Sequence, residues 1–215
     1  EHIKPLVTRG HLVDAAGLKG RMLNAGEEIT LADVRAALMR QGVREDDIRQ
    51  GDAILFHTGW GRLWMKDNAK FSAGGPGPGL EVARWVIERG LCLTGGDTSS
   101  VEVVPNPDPT LAYPLHGELL TKNGIFNHEN LVFDELLADR IRKGGRDADV
   151  MQRALVIVET EEQRPNHRAL PVLVPPETGH DAVGRARVLD LDHRPLAGEI
   201  LRVEALGHHA IEPCA

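Results

Sequence analysis

Apolar positions in the first 140 residues alternate between short continuous runs and runs with helical spacing. Residues 53–57 are apolar at all but the last position and are flanked by glycine-containing turns. Such a run predicts a short strand that is buried on both faces. Residues 5–14 and residues 91–93 predict two further strands, the second of which leads into Gly95-Gly96-Asp97-Thr98.

Helical spacing follows the strand-like runs. Thr30 and Asp33 are spaced as in a capping box, where each side chain pairs with the other residue's backbone N–H. The helix that they begin ends at Gly42, and its apolar face consists of Leu31, Val34, Ala37 and Leu38. A second helix is predicted over 80–90, and a third after Asn130, which would cap it. This order of strands and helices predicts a layered α/β domain.

The last third of the chain has a different pattern. All eight aromatic residues precede residue 134, and Lys143 is the last lysine. We therefore divide the chain into an α/β domain, residues 1–146, and an atypical strand-rich C-terminal segment, residues 147–215. Apolar strands are predicted in that segment over 154–158, 170–174, 186–191 and 200–203. Native strands of the same fold, a separate module and an altered reading frame are three alternative interpretations of it.

Charge and composition restrict the function classes. The net charge is −7 and the sequence pI is about 5.8, with no basic stripe, so nucleic acid is not an expected partner. No apolar run approaches the length of a membrane span, so no membrane association is expected. The chain has two cysteines, and Cys92 lies in the apolar run 91–93, which indicates a reduced thiol in a cytoplasmic protein.

The strongest candidate chemistry is the pair His116 and Glu129, which lie thirteen positions apart across a turn that contains Gly124. Imidazole and carboxylate are both ligands of zinc and manganese, so the turn predicts two ligands of one ion. A catalytic zinc usually takes three protein ligands. The alternative is a surface histidine and a glutamate that is stabilised by the start of the following helix.

Two candidates for a substrate pocket lie at the carboxyl end of the strand at residues 53–57, because this is where open α/β sheets bind their ligands. Trp60 is a candidate wall of an apolar pocket, or else it packs over the sheet edge. His57 is a candidate base, or else a packed histidine at the end of the strand.

Asp97 and His128 complete the candidate pocket. Asp97 would either orient a ligand histidine or cap the turn at residues 98–100. His128 would either support or supplement the ligands, or else be solvated. The sequence assigns no catalytic acid or base. It contains no Gly-x-Ser-x-Gly elbow and no His-Glu-x-x-His run, which disfavours serine-hydrolase and zincin chemistry.

Several phrases, taken in order, resemble the cyclase family of metal-dependent hydrolases, which includes enzymes of the kynurenine formamidase and isatin hydrolase type. The resemblance spans roughly residues 3–140. The phrases are Lys4-Pro5-Leu6-Val7-Thr8-Arg9-Gly10 with Asp14, Ile29-Thr30-Leu31-Ala32-Asp33, residues 51–60, Pro78-Gly79-Leu80, Gly95-Gly96-Asp97 with residues 101–105, and His116 with Glu129-Asn130-Leu131.

The resemblance implies a layered β/β/α fold and a zinc or manganese ion. It also implies hydrolysis of small amide, lactam or formamide substrates by a metal-bound hydroxide that attacks the carbonyl. His116 and Glu129 match the family's later His and Glu ligands. The family's upstream His-x-Gly-Thr-His-x-Asp motif has no counterpart here, so we expect a domain that is incomplete at its N-terminus.

The sequence thus leaves two hypotheses of function. The first is a metal-dependent amide hydrolase with a small-molecule substrate. The second is a non-catalytic or truncated cyclase-like domain that acts as a binding or assembly module. In either case we expect a homo-oligomer, because a core that lacks its N-terminal part would expose an apolar face.

Overall fold

A computed structural model describes residues 6–134 and 136–138, together with the backbone of residues 154–159 and 185–190. The strands are β1 (Leu6–Asp14), β2 (Glu28–Ile29), β3 (Ala53–His57), β4 (Gly77–Pro78), β5 (Leu93–Gly96), β6 (Phe126–His128), β7 (Ala154–Glu159) and β8 (Arg185–Asp190). The helices are α1 (Ala15–Lys19), α2 (Leu31–Arg40), α3 (Asn68–Ser72), α4 (Leu80–Glu88) and α5 (Pro114–His116), and α5 continues as a π-helical turn over Gly117–Lys122.

Six of these strands form one mixed sheet in the order β6-β5-β3-β1-β7-β8, and β2 and β4 form a separate parallel pair. Strands β1, β3, β5 and β6 are parallel neighbours, so their carboxyl ends lie at one edge of the sheet. All five residues of β3 are buried, as the continuous apolar run predicted. The predicted α/β class is confirmed.

The predicted capping box at the start of α2 is confirmed. The Asp33 backbone N–H donates to Thr30 Oγ1, and the Thr30 backbone N–H donates to Asp33 Oδ2, both at 3.1 Å. The predicted apolar residues form the buried face of α2, which packs against β1 and α4. The boundary of β5 differs from the sequence prediction, because this strand covers Leu93–Gly96 instead of residues 91–93.

The predicted helix start at Asn130 is wrong. Asn130 has a φ of 56°, residues 131–133 are not helical, and helical backbone begins at residue 134. The backbone N–H groups of Asn130 and Leu131 donate instead to the carbonyl oxygens of Thr98 and Gly96, at 2.9 and 3.0 Å. Carbonyl oxygens at the end of β5 and just after it therefore accept from the amides that would otherwise have begun a helix. As a result, Glu129 does not lie against a helix N-terminus.

Two predicted strands of the C-terminal segment extend the main sheet. β7 pairs antiparallel with residues 6–10 of β1, and β8 pairs antiparallel with β7. The strands predicted over 170–174 and 200–203 lie outside the described residues, and the division at residue 146 stays a prediction. Within the described residues, no helix has the length and apolar character of a membrane span.

Candidate functional site at the carboxyl edge of the sheet

Ionisable side chains follow or end each of the four parallel strands at their carboxyl edge. Asp14 of β1 is paired in register with His57 of β3, and the next strands along the sheet lead into Asp97 and Glu129. Strand register thus collects at one edge several groups that lie far apart in sequence. Open α/β sheets bind their ligands at this edge.

His116 and Glu129 lie in contact. The Nε2 atom of His116 is 3.2 Å from Oε1 of Glu129, and both side chains are largely buried. Helix α5 carries His116, and Glu129 directly follows β6. The turn between them therefore brings the two side chains together as the sequence suggested, whereas their role as metal ligands stays a prediction.

Glu102 is the partner of His116 that no sequence pattern singled out. Its side chain is 1% exposed and accepts hydrogen bonds from the backbone N–H groups of Leu115 and His116, at 3.1 and 3.0 Å. It also forms a hydrogen bond with Nδ1 of His116. The available signal was one acidic residue between two valines, Val101 and Val103, because a carboxylate in an apolar run needs a buried partner.

The electrostatic surroundings of His116 favour the protonated imidazole. Burial by itself would lower the pKa of His116, but the hydrogen bonds to Glu102 and Glu129 outweigh burial and raise this pKa to about 9. Each ring nitrogen then donates to one carboxylate. A cation that binds to Nε2 has to displace a proton from it.

The pair His116 and Glu129 fits two positions of a divalent cation. Zinc–ligand bonds of about 2.0–2.2 Å in a tetrahedral arrangement separate two ligand atoms by about 3.3–3.5 Å. The observed separation of 3.2 Å is close to this range. Among the residues that the structure describes, however, no cluster of three or more His, Cys, Asp or Glu side chains could hold a metal ion. The described residues alone therefore complete no metal site, and the role of this pair as ligands stays a prediction.

Asp97 caps the turn that follows the neighbouring strand β3, whereas the sequence suggested the turn at residues 98–100. Its carboxylate accepts from the backbone N–H and the hydroxyl of Thr58, at 2.9 and 2.6 Å, and from the backbone N–H of Gly59 at 2.8 Å. These bonds go to the turn after β3 and not to residues 98–100. Burial raises the pKa of Asp97. Asp97 thus fixes the backbone that leads into Trp60.

Trp60 and His57 are both packed inside the protein. Trp60 is 2% exposed, and its indole N–H donates to the carbonyl oxygen of Phe71 at 3.3 Å. His57 lies between two carboxylates, with Nδ1 2.8 Å from Asp14 and Nε2 4.0 Å from Asp97. The edge of its ring meets Phe133, at 6.1 Å between ring centroids. This geometry favours the packed interpretation of both residues.

The solvated interpretation of His128 is wrong. This residue is 6% exposed, and its Nδ1 atom is buried without a hydrogen-bond partner among the described residues. Burial lowers the pKa of His128 to about 4, so the ring is neutral at physiological pH. His128 is the last residue of strand β6, which buries its side chain. The sequence had suggested a position in an exposed turn.

The candidate residues form two hydrogen-bonded sets that share one loop. Asp97 holds the turn before Trp60, and Glu102 holds His116, while Thr98 between them accepts from the backbone N–H of Asn130. Within the described residues, no hydrogen bond links His57 or Trp60 directly to His116 or Glu129. The loop after β5 is therefore the element that positions both sets.

Comparison with known proteins finds a family and solved structures that the chain resembles. The sequence model of a family described as "Putative cyclase" matches residues 2–103. The resemblance to the cyclase family is confirmed. The matched range ends before His116 and Glu129, so the assignment of this pair rests on the sequence resemblance and on the observed contact. No curated protein matches the chain.

Two solved structures share the cyclase-like fold. A novel cyclase is 28% identical with a TM-score of 0.57, and the match covers 71% of this chain and 47% of that one. An isatin hydrolase bound to the product analogue thioisatinate is 17% identical with a TM-score of 0.53, and the match covers 71% of this chain and 53% of that one. The chain thus spans about half the length of these structures. At its lower identity, the isatin hydrolase shows the fold alone.

Proposed function

We propose that the chain is part of a metal-dependent hydrolase of small amide, lactam or formamide substrates, and that His116 and Glu129 are two of its metal ligands. The observation that carries the proposal is the 3.2 Å contact between His116 Nε2 and Glu129 Oε1 at the carboxyl edge of the sheet. The cyclase family match and the fold shared with an isatin hydrolase support it.

The chemistry of the two ligands suits zinc or manganese, which both accept imidazole and carboxylate. Such an ion, when bound, polarises a carbonyl and lowers the pKa of a coordinated water to about 7. The chain's own contribution is to hold the two donors in place. The backbone N–H of Asn130, the residue after Glu129, donates to the carbonyl oxygen of Thr98 and so anchors the backbone at Glu129. Burial of most of both side chains limits their exposure to water.

Calorimetric titration of the full chain with zinc, and separately with manganese, tests the ligand pair. We expect binding that His116→Ala and Glu129→Gln each weaken more than the roughly 10–100-fold caused by loss of an outer-shell partner. Glu118→Gln is the matched control, because Glu118 lies on the same turn in an exposed ion pair with Lys122 at 2.6 Å. Equal affinity in wild type and His116→Ala would remove the proposed site.

Hydrolysis assays test the substrate class. The metal-loaded chain is supplied with a formanilide and with a cyclic amide such as isatin, and loss of substrate is followed by absorbance. Turnover that disappears in His116→Ala supports the hydrolase. Turnover that is unchanged in this variant would assign the activity to another part of the protein or to a contaminant.

A second candidate function is a non-catalytic cyclase-like domain that acts as a binding or assembly module. The described residues favour it in one respect, since they provide no cluster of three metal-binding side chains. This candidate predicts neither metal binding that depends on His116 nor turnover of either substrate. It also predicts self-association. Light scattering coupled to size exclusion measures that self-association. Because we propose self-association for the hydrolase as well, metal binding and turnover are the measurements that distinguish the two candidates.

A further inference from the structure

Glu102 is a costly residue for a protein core. Its carboxylate is 1% exposed and lies between Val101 and Val103, which are each 1% exposed. Burial of a carboxylate is unfavourable unless hydrogen bonds or an opposite charge compensate it. The compensation here comes from two backbone N–H groups and the imidazole of His116, all within residues 115–116.

Both ring nitrogens of His116 face a carboxylate and donate in the metal-free protein, so the question is which nitrogen keeps its proton when a cation binds. A carboxylate has acceptors only, so the Nδ1 atom that faces Glu102 has to be the donor. This arrangement leaves the Nε2 atom, on the opposite side of the ring, directed at Glu129. Histidine ligands of metals are commonly oriented in this way, by a carboxylate on the nitrogen that does not bind the ion.

A purely structural role would not require a carboxylate at residue 102. The two backbone N–H groups at the start of α5 could be capped by a neutral acceptor such as serine or asparagine, which helix ends commonly use. Only the contact with Nδ1 acts on the imidazole itself. The same oxygen, Oε1, serves both the His116 backbone N–H and the ring, so backbone and side chain of His116 are fixed by one atom.

We infer that Glu102 is the positioning residue of this site: it holds the proton on Nδ1 of His116 and so presents Nε2 to Glu129 and to a cation. The inference rests on the proposed function only for the cation. The orientation of the ring and its proton belongs to the chain itself and is open to measurement without metal.

Nitrogen-15 NMR of the histidine rings tests the inference in the metal-free chain. We expect the wild type to show a protected, downfield Nδ1–H proton for His116. Glu102→Gln removes the charge and one acceptor oxygen, so this signal should shift upfield or disappear. Glu129→Gln should retain it, because Glu129 lies on the other side of the ring. An unchanged Nδ1–H signal in Glu102→Gln would overturn the inference.

Zinc affinity gives the second measurement. We expect Glu102→Gln to weaken zinc binding about 10–100-fold, while Glu118→Gln leaves it unchanged. Circular dichroism and thermal melting verify that Glu102→Gln is folded. If it is not folded, the zinc-bound wild type decides: coordination through Nε2 with a retained Nδ1–H supports the inference, and coordination through Nδ1 overturns it. Absence of both zinc and manganese binding in a wild type that shows the Nδ1–H signal would reject the proposed function but leave the role of Glu102 intact.

Discussion

The carbonyl oxygen of Thr98 accepts the backbone N–H of Asn130 at 2.9 Å, which ties the loop after β5 to the residue that follows Glu129. Asp97 precedes Thr98 in the same loop and holds the turn after β3, and Glu102 follows it and holds His116. One loop therefore holds the turn before Trp60, the residue His116 and the backbone next to Glu129. Changes within this loop, or against its backbone, should affect both the stability of the protein and the properties of His116.

Asp97→Asn should destabilise the fold. The carboxylate accepts three short hydrogen bonds from Thr58 and Gly59, and an amide NH₂ in its place would face donors. A buried donor that is left unpaired costs about 1–3 kcal/mol, so we expect a loss of roughly 2–3 kcal/mol in the free energy of unfolding. Urea denaturation measures it.

Asp108→Asn is the matched control for that measurement. Asp108 is exposed and accepts from the backbone N–H and hydroxyl of Thr110, so solvent can replace its bonds. We expect a change within about 0.5 kcal/mol. If the two variants lose the same stability, the hydrogen bonds of Asp97 have no special role.

Gly77→Ala should disturb the loop after β5 from outside. A methyl group on Gly77 would clash with the carbonyl oxygen of Val101 and would lie 2.8 Å from the carbonyl oxygen of Glu102. Because both contacts are with backbone, the chain at residues 101–102 has to move, and we expect a cost of about 1–3 kcal/mol. The same shift should weaken the Nδ1–H signal of His116 in NMR.

Gly117→Ala tests whether any glycine substitution near the site has this effect. Gly117 follows His116 in helical backbone, and a methyl group there would have no neighbour within 4 Å. Since alanine is favoured over glycine in helices by about 1 kcal/mol, stability should be unchanged or slightly higher. A loss of stability comparable to that of Gly77→Ala would contradict the argument from the loop.

Glu45 should make the free energy of unfolding depend on pH in the acidic range. Hydrogen bonds from Arg35 first, and then from the Trp85 indole N–H and from Arg89, outweigh burial and lower the pKa of Glu45 to about 2. Because the folded pKa lies below the unfolded value of about 4.3, the contribution is fully present above the unfolded pKa. It is lost as the pH falls from that value through about 2.

The free energy of unfolding of wild type and of Glu45→Gln, measured from pH 7 to pH 2, checks this expectation. Trp85 fluorescence is a local probe, because its indole N–H donates to Glu45 at 2.8 Å. The difference between the two proteins should be largest at neutral pH and should shrink towards pH 2. A difference that is independent of pH would show that the charge of Glu45 is not involved.

Thr30→Ala should remove half of the capping box of α2. The Thr30 hydroxyl oxygen accepts from the Asp33 backbone N–H at 3.1 Å, and this bond has no substitute in alanine. Loss of such a cap costs about 0.5–2 kcal/mol, which a shift in the urea midpoint measures. Thr30→Ser keeps the hydroxyl and should remain within about 0.5 kcal/mol of the wild type.

Local sequence patterns predicted what depends on a few neighbouring residues. The apolar run of β3, the capping box of α2 and the contact of His116 with Glu129 across one turn all follow from spacing over short stretches. The start of a helix at Asn130 also followed from local rules, and it was wrong because carbonyl oxygens of Gly96 and Thr98 take the amides of that segment. Hydrogen bonds to the end of β5 and to the loop after it therefore outweighed the local helix preference.

By itself, then, the sequence determined the alternation of strands and helices, the cyclase resemblance and the choice of His116 and Glu129 as the pair that would lie in contact. Only the tertiary structure decided that Glu102 faces the His116 ring, that Asp97 caps a turn 36–39 residues away, and that His128 is buried. The physical reason is that the partners of these buried polar groups lie in loops that follow neighbouring strands, and strand register sets where those loops meet. That register brings together residues between which no local pattern exists.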